Sequence, residues 1–316
     1  MGVLVNGEWR VEDAFPKDAS GRFVRPDSAF RDWVTPDGAP GPTGEGGFPA
    51  EAGRYRLYVS LACPWAHRAL IFRKLKGLES IVGLSVVNWL MGEEGWTFAE
   101  GQGVVPDPVL GARRLAELYV VSRSGYTGRV TVPVLFDVKT RRIVNNESAD
   151  IIRMFNSAFD ALGAAPGDYY PPDLRDEIDA LNASVYARVN NGVYRAGFAG
   201  EQAAYEEAAV ALFDTLDALD ARLAERRFLC GDRVTEADWR LFTTLVRFDP
   251  VYVGLFKCNL RRIADYRHLS RYYGELRRWP GVAETIDFFH IKHHYYGSLR
   301  FINPNGVVPL GPAETN

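Results

Sequence analysis

The sequence predicts an α/β domain followed by an all-α domain. Three observations predict it: a β-α-β alternation that begins at Tyr55, a Pro/Gly-rich break at 163–172, and hydrophobic spacing that is helical almost throughout beyond that break. With 316 residues and 47% apolar content, the chain has enough material for two cores. The boundaries follow as an N-terminal arm at 1–53, the α/β domain at 54–162 and the helical domain at 173–316.

The arm is rich in Gly, Pro and Asp, and Pro36-Asp37-Gly38-Ala39-Pro40-Gly41-Pro42 and Gly44-Glu45-Gly46-Gly47 read as turn and loop. Its isolated aromatics, Phe15, Phe23, Phe30 and Trp33, predict an extended segment anchored along the folded body. A strand at 55–60 follows, then a helix from Cys63 to about Lys76 that ends before Gly77, and a strand at 81–88. Residues 89–108 are irregular, with four glycines around Trp96 and Phe98, a length of loop that in compact domains is more often functional than idle. A helix at 113–122, strands at 130–137 and 142–145, and a helix at 147–159 complete the α/β half. The second half reads as helices at 173–190, 201–225, 235–247, 267–277 and 280–290, and Thr235-x-x-Asp238 has the spacing of an N-terminal capping box.

Cys63 opens the first helix, followed by Pro64. The first-turn N–H groups have no partner within a helix, and with the macrodipole they favour a thiolate, the nucleophilic form of cysteine. Proline suits the first helical position because its missing N–H would be unpaired there anyway. A dithiol oxidoreductase would carry a second cysteine at position 66, where this chain has Ala66, so a disulfide formed at Cys63 needs an outside thiol to resolve it. Glutathione is the abundant one. The competing reading is a small buried hydrophobe, since free cysteine is among the most buried residue types.

Composition narrows the partners. With 37 basic against 40 acidic residues the net charge is −3, which provides no basic footprint for nucleic acid or an anionic membrane. Cys63, Cys230 and Cys258 are too few and scattered for a disulfide framework, which points to a reducing compartment and hence the cytoplasm. No basic start with a long apolar run marks a signal peptide, and no stretch approaches the ~18 apolar residues of a membrane span. His290, His293 and His294 have i, i+3, i+4 spacing, but their neighbours offer Lys292 and tyrosines in place of further ligands. They read as histidines packed among aromatics, and no metal is expected.

The order β-α-β, helix, β-β-α is that of a thioredoxin-like domain. In such a domain the Val132-Pro133 junction lies beside the nucleophile, and a cis bond there would present the backbone of Val132 to an extended peptide ligand. The alternative is an edge-strand proline with no ligand.

A thioredoxin-like half with a single thiol, joined to a helical half with a Thr-x-x-Asp box, resembles the glutathione transferase superfamily. The segments 29–38, Ser60-Leu61-Ala62-Cys63-Pro64-Trp65-Ala66-His67-Arg68, Gly95-Trp96-Thr97-Phe98, 129–135 and Asn146-Glu147-Ser148 resemble those of its glutathionyl-hydroquinone reductases, the Xi class. The resemblance covers nearly the whole chain. It implies Cys63 as nucleophile, glutathione as co-substrate, and glutathione-binding positions at Trp96, Arg129, Val130, Thr131, Val132, Pro133, Glu147 and Ser148. It also implies active-site tyrosines at Tyr194, Tyr252 and Tyr295 and a homodimer. Physical chemistry is consistent with these roles: at a helix start, Glu147 can take the γ-glutamyl ammonium while Ser148 and the N–H groups take its carboxylate, although a plain N-cap would look the same.

The implied reaction is reductive removal of glutathione from a glutathionyl-hydroquinone through a Cys63 mixed disulfide. Tyr194 is implied as proton donor, with Tyr252 and Tyr295 donating to the Cys63 sulfur; by spacing alone Tyr186, Tyr205 and Tyr296 remain open. Two other readings fit the same fold: an omega-like thiol transferase or dehydroascorbate reductase, and a non-catalytic binding module.

Overall fold

The computed structural model describes residues 2–12 and 16–312, so Phe15, one of the expected arm anchors, lies outside the described residues. By contact the chain divides into two compact units. Met1–Asp13, Asp27–Gly167 and Glu284–His294 form the first, and Ala14–Pro26, Asp168–Ala283 and Tyr295–Asn316 form the second. The division cuts across the sequence boundaries, because the arm contributes to both units and residues 284–294 belong with the α/β unit.

In the first unit the arm does not begin as an extended segment. β1 (Gly2–Val5) and β2 (Glu8–Val11) form an antiparallel hairpin closed by Asn6 and Gly7, whose φ angles of 51° and 82° are those a two-residue hairpin turn needs. The Asn-Gly pair between two short strands is the sequence signal for it. The main sheet has the order β4-β3-β6-β7. β3 (Tyr55–Val59) runs parallel to β4 (Val82–Val86), while β6 (Val134–Asp137) pairs antiparallel with both β3 and β7 (Arg142–Asn145). The expected strand at 130–137 is shortened to β6: residues 130–133, with the cis Val132–Pro133 peptide, lie outside the ladder, and a separate β5 (Gly128–Arg129) before them joins β1. Proline cannot donate to a sheet ladder, which accounts for the interruption.

α1 (Pro64–Leu75) and α3 (Ser148–Ser157) pack together, and α2 (Leu115–Ser122) packs against β7. Leu57, Tyr58 and Val59 of β3 are fully buried, as a central strand covered on both faces should be. At the end of this sheet Arg54 and Asp137 form a buried bidentate pair at 2.7 and 3.0 Å. Burial pushes the Asp137 carboxyl up, but Arg54, Thr140 and the Lys139 N–H outweigh it and hold the group below its usual range.

The second unit is helical: α4 (Arg175–Val185), α5 (Gly192–Gly197), α6 (Gln202–Glu225), α7 (Glu236–Arg247) and α8 (Arg267–Arg277). Thr235 caps α7 as the spacing predicts, with Asp238 accepting the Thr235 N–H at 2.7 Å. The same carboxylate accepts from the Leu229 N–H and the Tyr272 hydroxyl, both at 2.9 Å, so a fully buried acid has its lone pairs satisfied.

Two helices depart from expectation. The stretch predicted as one helix at 173–190 begins with a 3₁₀ turn, passes through α4 into a π-helical segment at Tyr186–Asn190, and continues as α5. The helix predicted at 280–290 is instead α9 (Phe288–Ser298), because Pro280 and Gly281, at φ +80°, hold the chain out of helix. Asp287 starts it, accepting the His290 N–H at 2.7 Å as an N-cap side chain does. Among the described residues no helix is long and apolar enough to cross a membrane.

Candidate active site

Cys63 is the N-cap of α1, in extended backbone conformation, with Pro64 as the first helical residue. A serine or aspartate here would cap the helix with its side chain; the Cys63 side chain makes no cap bond. Its S–H points to the Val132 carbonyl, with sulfur and oxygen 3.6 Å apart, and the residue is partly exposed. A partly exposed sulfur at the positive end of a helix is placed for thiolate chemistry, and the Val132–Pro133 peptide beside it is cis. Cys230 and Cys258 are buried, with burial pushing the Cys230 thiol up to about 11 and the Cys258 thiol higher still. None of the three cysteines is in a disulfide.

The segment before Pro133 is held by Tyr119 of α2. Its hydroxyl donates to the Thr131 carbonyl at 2.8 Å and accepts from the Thr131 N–H at 3.1 Å and from Asn146 Nδ2 at 3.2 Å. Val130, Val132 and Pro133 are buried, while Thr131 is exposed. Arg129 lies on β5, mostly buried, and its guanidinium reaches Glu12 at 3.4 Å. Burial pushes its pKa down and Glu12 partly offsets that shift. Arg129 therefore faces a carboxylate of its own chain.

Glu147 is the N-cap of α3, accepting the Ala149 N–H at 3.1 Å and the Ser28 hydroxyl at 2.9 Å. Ser148, the first helical residue, is buried and accepts from Arg68 at 3.3 Å. The arm clamps this corner. Phe30 and Asn146 exchange hydrogen bonds at 3.0 and 3.1 Å, the Asp32 N–H donates to the Val144 carbonyl at 3.0 Å, and Arg31 forms a bidentate pair with Asp150 at 2.5 and 3.0 Å. Ser28, Arg31 and Tyr119 hold the predicted site positions and were missed by sequence reasoning, since no local spacing links them to partners twelve to more than a hundred positions away.

Trp96, also in the first unit, is buried and stacks on His294, ring centroids 4.8 Å apart at 27°. A cavity of about 320 Å³ lies beside this loop, lined by Glu94, Thr97, Phe98, Asp107, Arg113 and Arg114 among others; Trp96 is not in its lining. Among the described residues no group of three or more His, Cys, Asp or Glu is arranged to hold a metal.

In the second unit Tyr194, Tyr252 and Tyr295 come together. The Tyr194 and Tyr295 hydroxyls are 2.5 Å apart and those of Tyr252 and Tyr295 3.1 Å apart, all in buried residues. Tyr252 ends a π-helical segment, Phe248–Tyr252, and such segments are frequent at functional sites. Gly197 admits the Phe256 ring that stacks on Tyr252, since a Cβ there would lie 2.3 Å from it. From the arm, Arg25 donates to Asn191 at 2.6 Å and places its guanidinium 4.9 Å from the centre of the Tyr194 ring. Burial pushes the Tyr252 and Tyr295 phenols well above the usual tyrosine range, so both remain proton donors across the neutral range.

A helix-start thiol beside a cis-proline in a thioredoxin-like unit, followed by a helical unit, defines a glutathione transferase architecture. Family models agree: residues 62–158 match the glutathione S-transferase N-terminal domain and residues 202–275 the C-terminal domain. The chain is 55% identical to the glutathionyl-hydroquinone reductase YqjG of Escherichia coli, over 99% of this chain and 95% of the relative. It is also 55% identical to the glutathionyl-hydroquinone reductase PcpF of Sphingobium chlorophenolicum, over 99% and 97%. The glutathione-bound structure of YqjG superposes with a TM-score of 0.92 at 53% identity, covering 99% of this chain and 96% of that one. The Xi glutathione S-transferase of Phanerochaete chrysosporium gives 0.87 at 49%, covering 92% and 97%. The chain belongs to the glutathione S-transferase family, in its Xi class.

Proposed function

We propose that this protein is a glutathionyl-hydroquinone reductase that uses glutathione to return glutathionyl-hydroquinones to free hydroquinones. The observation that carries the chemistry is the position of Cys63, an N-cap sulfur with no capping bond of its own beside the Val132–Pro133 peptide. The Cys63 thiolate attacks the glutathione sulfur of the conjugate. The aryl carbon–sulfur bond breaks, its electron pair stays on the ring carbon, and that carbon takes a proton from the tyrosine group. Hydroquinone leaves, with Cys63 and glutathione joined in a disulfide. A second glutathione thiolate attacks the glutathione sulfur of that disulfide, releasing oxidised glutathione and the Cys63 thiolate. One conjugate and one glutathione thus give one hydroquinone and one oxidised glutathione. Ala66 supplies no internal thiol, which is why the second glutathione is needed.

Glutathione is bound by Trp96, by the Arg129-to-Pro133 segment and by Glu147 and Ser148, with Glu147 taking the γ-glutamyl ammonium and the α3 start its carboxylate. Glu12 is exchanged for a ligand carboxylate at Arg129. Tyr194, Tyr252 and Tyr295 act as one group. Their linked hydroxyls present a proton to the Cys63 thiolate and to the ring. A cytoplasmic homodimer belongs to the same reading, and size-exclusion chromatography at two concentrations tests the dimer.

The test of function is incubation with glutathione and a glutathionyl-menadiol conjugate, following hydroquinone and oxidised glutathione by chromatography. Equal release of both is expected. Reduction of dehydroascorbate or a mixed disulfide without hydroquinone release would contradict the reading and favour a thiol transferase.

A further inference from the structure

His290, His293 and His294 read in the sequence as histidines among aromatics, and two of them grip the loop that carries Trp96. His294 Nδ1 donates to the Trp89 carbonyl at 2.9 Å, at the start of that loop, while its ring stacks on the Trp96 indole. One turn earlier on the same face of α9, His290 Nε2 donates to the Gln102 carbonyl at 2.6 Å, near the loop's far end. His290 is fully buried and its Nδ1 has no partner among the described residues, which assigns the proton to Nε2. Gly103, at φ +72°, lets the chain pass this ring, because a Cβ there would sit 2.7 Å from Nε2. The loop is also held by the Trp9 indole N–H, which donates to the Glu93 carbonyl at 2.8 Å, by the Leu115 N–H, which donates to the Trp96 carbonyl at 2.9 Å, by the Asn88 N–H on the Thr97 carbonyl at 2.8 Å and by the Phe98 N–H on the Arg113 carbonyl at 2.9 Å.

An irregular loop with four glycines loses much conformational entropy when it is fixed, and the indole's plane is set only if both its backbone and one face are held. The Leu115 N–H holds the Trp96 backbone, while His294 covers one face of the indole and fixes the start of its loop with one side chain. We infer that His294 is a positioning residue for Trp96: by stacking on the indole and tying down the Trp89 carbonyl, it pre-organises the tryptophan for glutathione. The inference rests on the reading of Trp96 as a glutathione-binding residue. His294 acts through Trp96 on binding and takes no part in the chemical steps.

The test compares glutathione affinity, by titration calorimetry, in His294→Asn, His294→Phe, Trp96→Ala and the His294→Asn/Trp96→Ala double variant, with melting temperatures alongside. His294→Asn keeps a short donor and removes the ring, and it should weaken glutathione binding about tenfold. His294→Phe keeps a ring and loses the donor, and should weaken it about threefold. Turnover at saturating glutathione should stay within about twofold of wild type for both, a KM-against-kcat split that general destabilisation does not produce. The double variant should bind no more weakly than Trp96→Ala, because the histidine acts through the indole. Wild-type affinity in His294→Asn beside weakened Trp96→Ala would overturn the inference and leave the Trp96 assignment standing, as would additive losses in the double variant. Wild-type affinity in Trp96→Ala would instead remove the assignment and the inference with it. Should His294→Asn not fold, wild-type affinity in His294→Phe overturns the inference.

Discussion

The Tyr295 hydroxyl stands between two others, 2.5 Å from that of Tyr194 and 3.1 Å from that of Tyr252. It bonds to both, so its removal takes two hydrogen bonds out of the cluster. Tyr295→Phe should lower kcat on a glutathionyl-hydroquinone about a hundredfold, the scale of a lost general acid. Exchange with a small mixed disulfide, which protonates no carbon, should change less than about threefold. Equal losses on both substrates would count against a proton-delivery role.

The same trio bears on the thiol. A donor that serves the thiolate lowers the thiol pKa, and deleting it raises that pKa. Following thiolate absorbance against pH, the Cys63 titration should move up in Tyr252→Phe or Tyr295→Phe. An unchanged titration in both would separate the tyrosines from the sulfur.

Thiol reactivity should divide sharply among the three cysteines. Cys63 is partly exposed, whereas Cys230 and Cys258 are buried with their thiols pushed up. Brief iodoacetamide treatment at neutral pH should therefore alkylate Cys63, and peptide mass mapping should find the other two unmodified until the protein is denatured.

Ser28→Ala removes one hydrogen bond to Glu147 and leaves the Ala149 bond of the cap in place. The stability cost should be about 0.5–1.5 kcal/mol, read by urea denaturation. The KM for glutathione should rise several-fold with kcat little changed. A fall in stability with an unaltered KM would make Ser28 a purely structural clasp.

Alkaline pH should destabilise the fold. Tyr252 and Tyr295 have folded-state pKa values raised well above the value of about 10 expected in the unfolded chain. Below pH ~10 the phenols are protonated in both states and the contribution is intact. Above it the unfolded state releases protons that the native state keeps, and stability falls by up to about 1.4 kcal/mol per pH unit for each such group. The buried Cys230 and Cys258 thiols add to the loss, so denaturant midpoints should decline from pH 9 to 11, most steeply over the last interval, and Tyr295→Phe should lessen that decline.

Signals confined to a few neighbouring residues were legible in the sequence. Cys63-Pro64 at the α1 start and the Thr235–Asp238 box of α7 depend on spacings of one to three residues, and the structure has both. The Asn6-Gly7 hairpin carried an equally local signal that the glycine-rich character of the arm obscured. The start of α9 turns on Asp287, a capping residue masked by a helical-looking run through Pro280 and Gly281. Partnerships such as Ser28 with Glu147, Arg31 with Asp150 and Tyr119 with Thr131 join side chains to distant or buried groups that no periodicity reports. The π-helical segments before Asn191 and at Tyr252 insert extra residues into helices, so 3.6-residue spacing drifts there.

The most direct test is a single-turnover experiment: enzyme in excess over a glutathionyl-menadiol conjugate, no added glutathione, quenched in acid and digested for mass spectrometry. The account predicts one equivalent of menadiol per conjugate and glutathione in disulfide linkage on the Cys63 peptide, with both absent in Cys63→Ala. Menadiol released without that adduct, or released by Cys63→Ala, would contradict it.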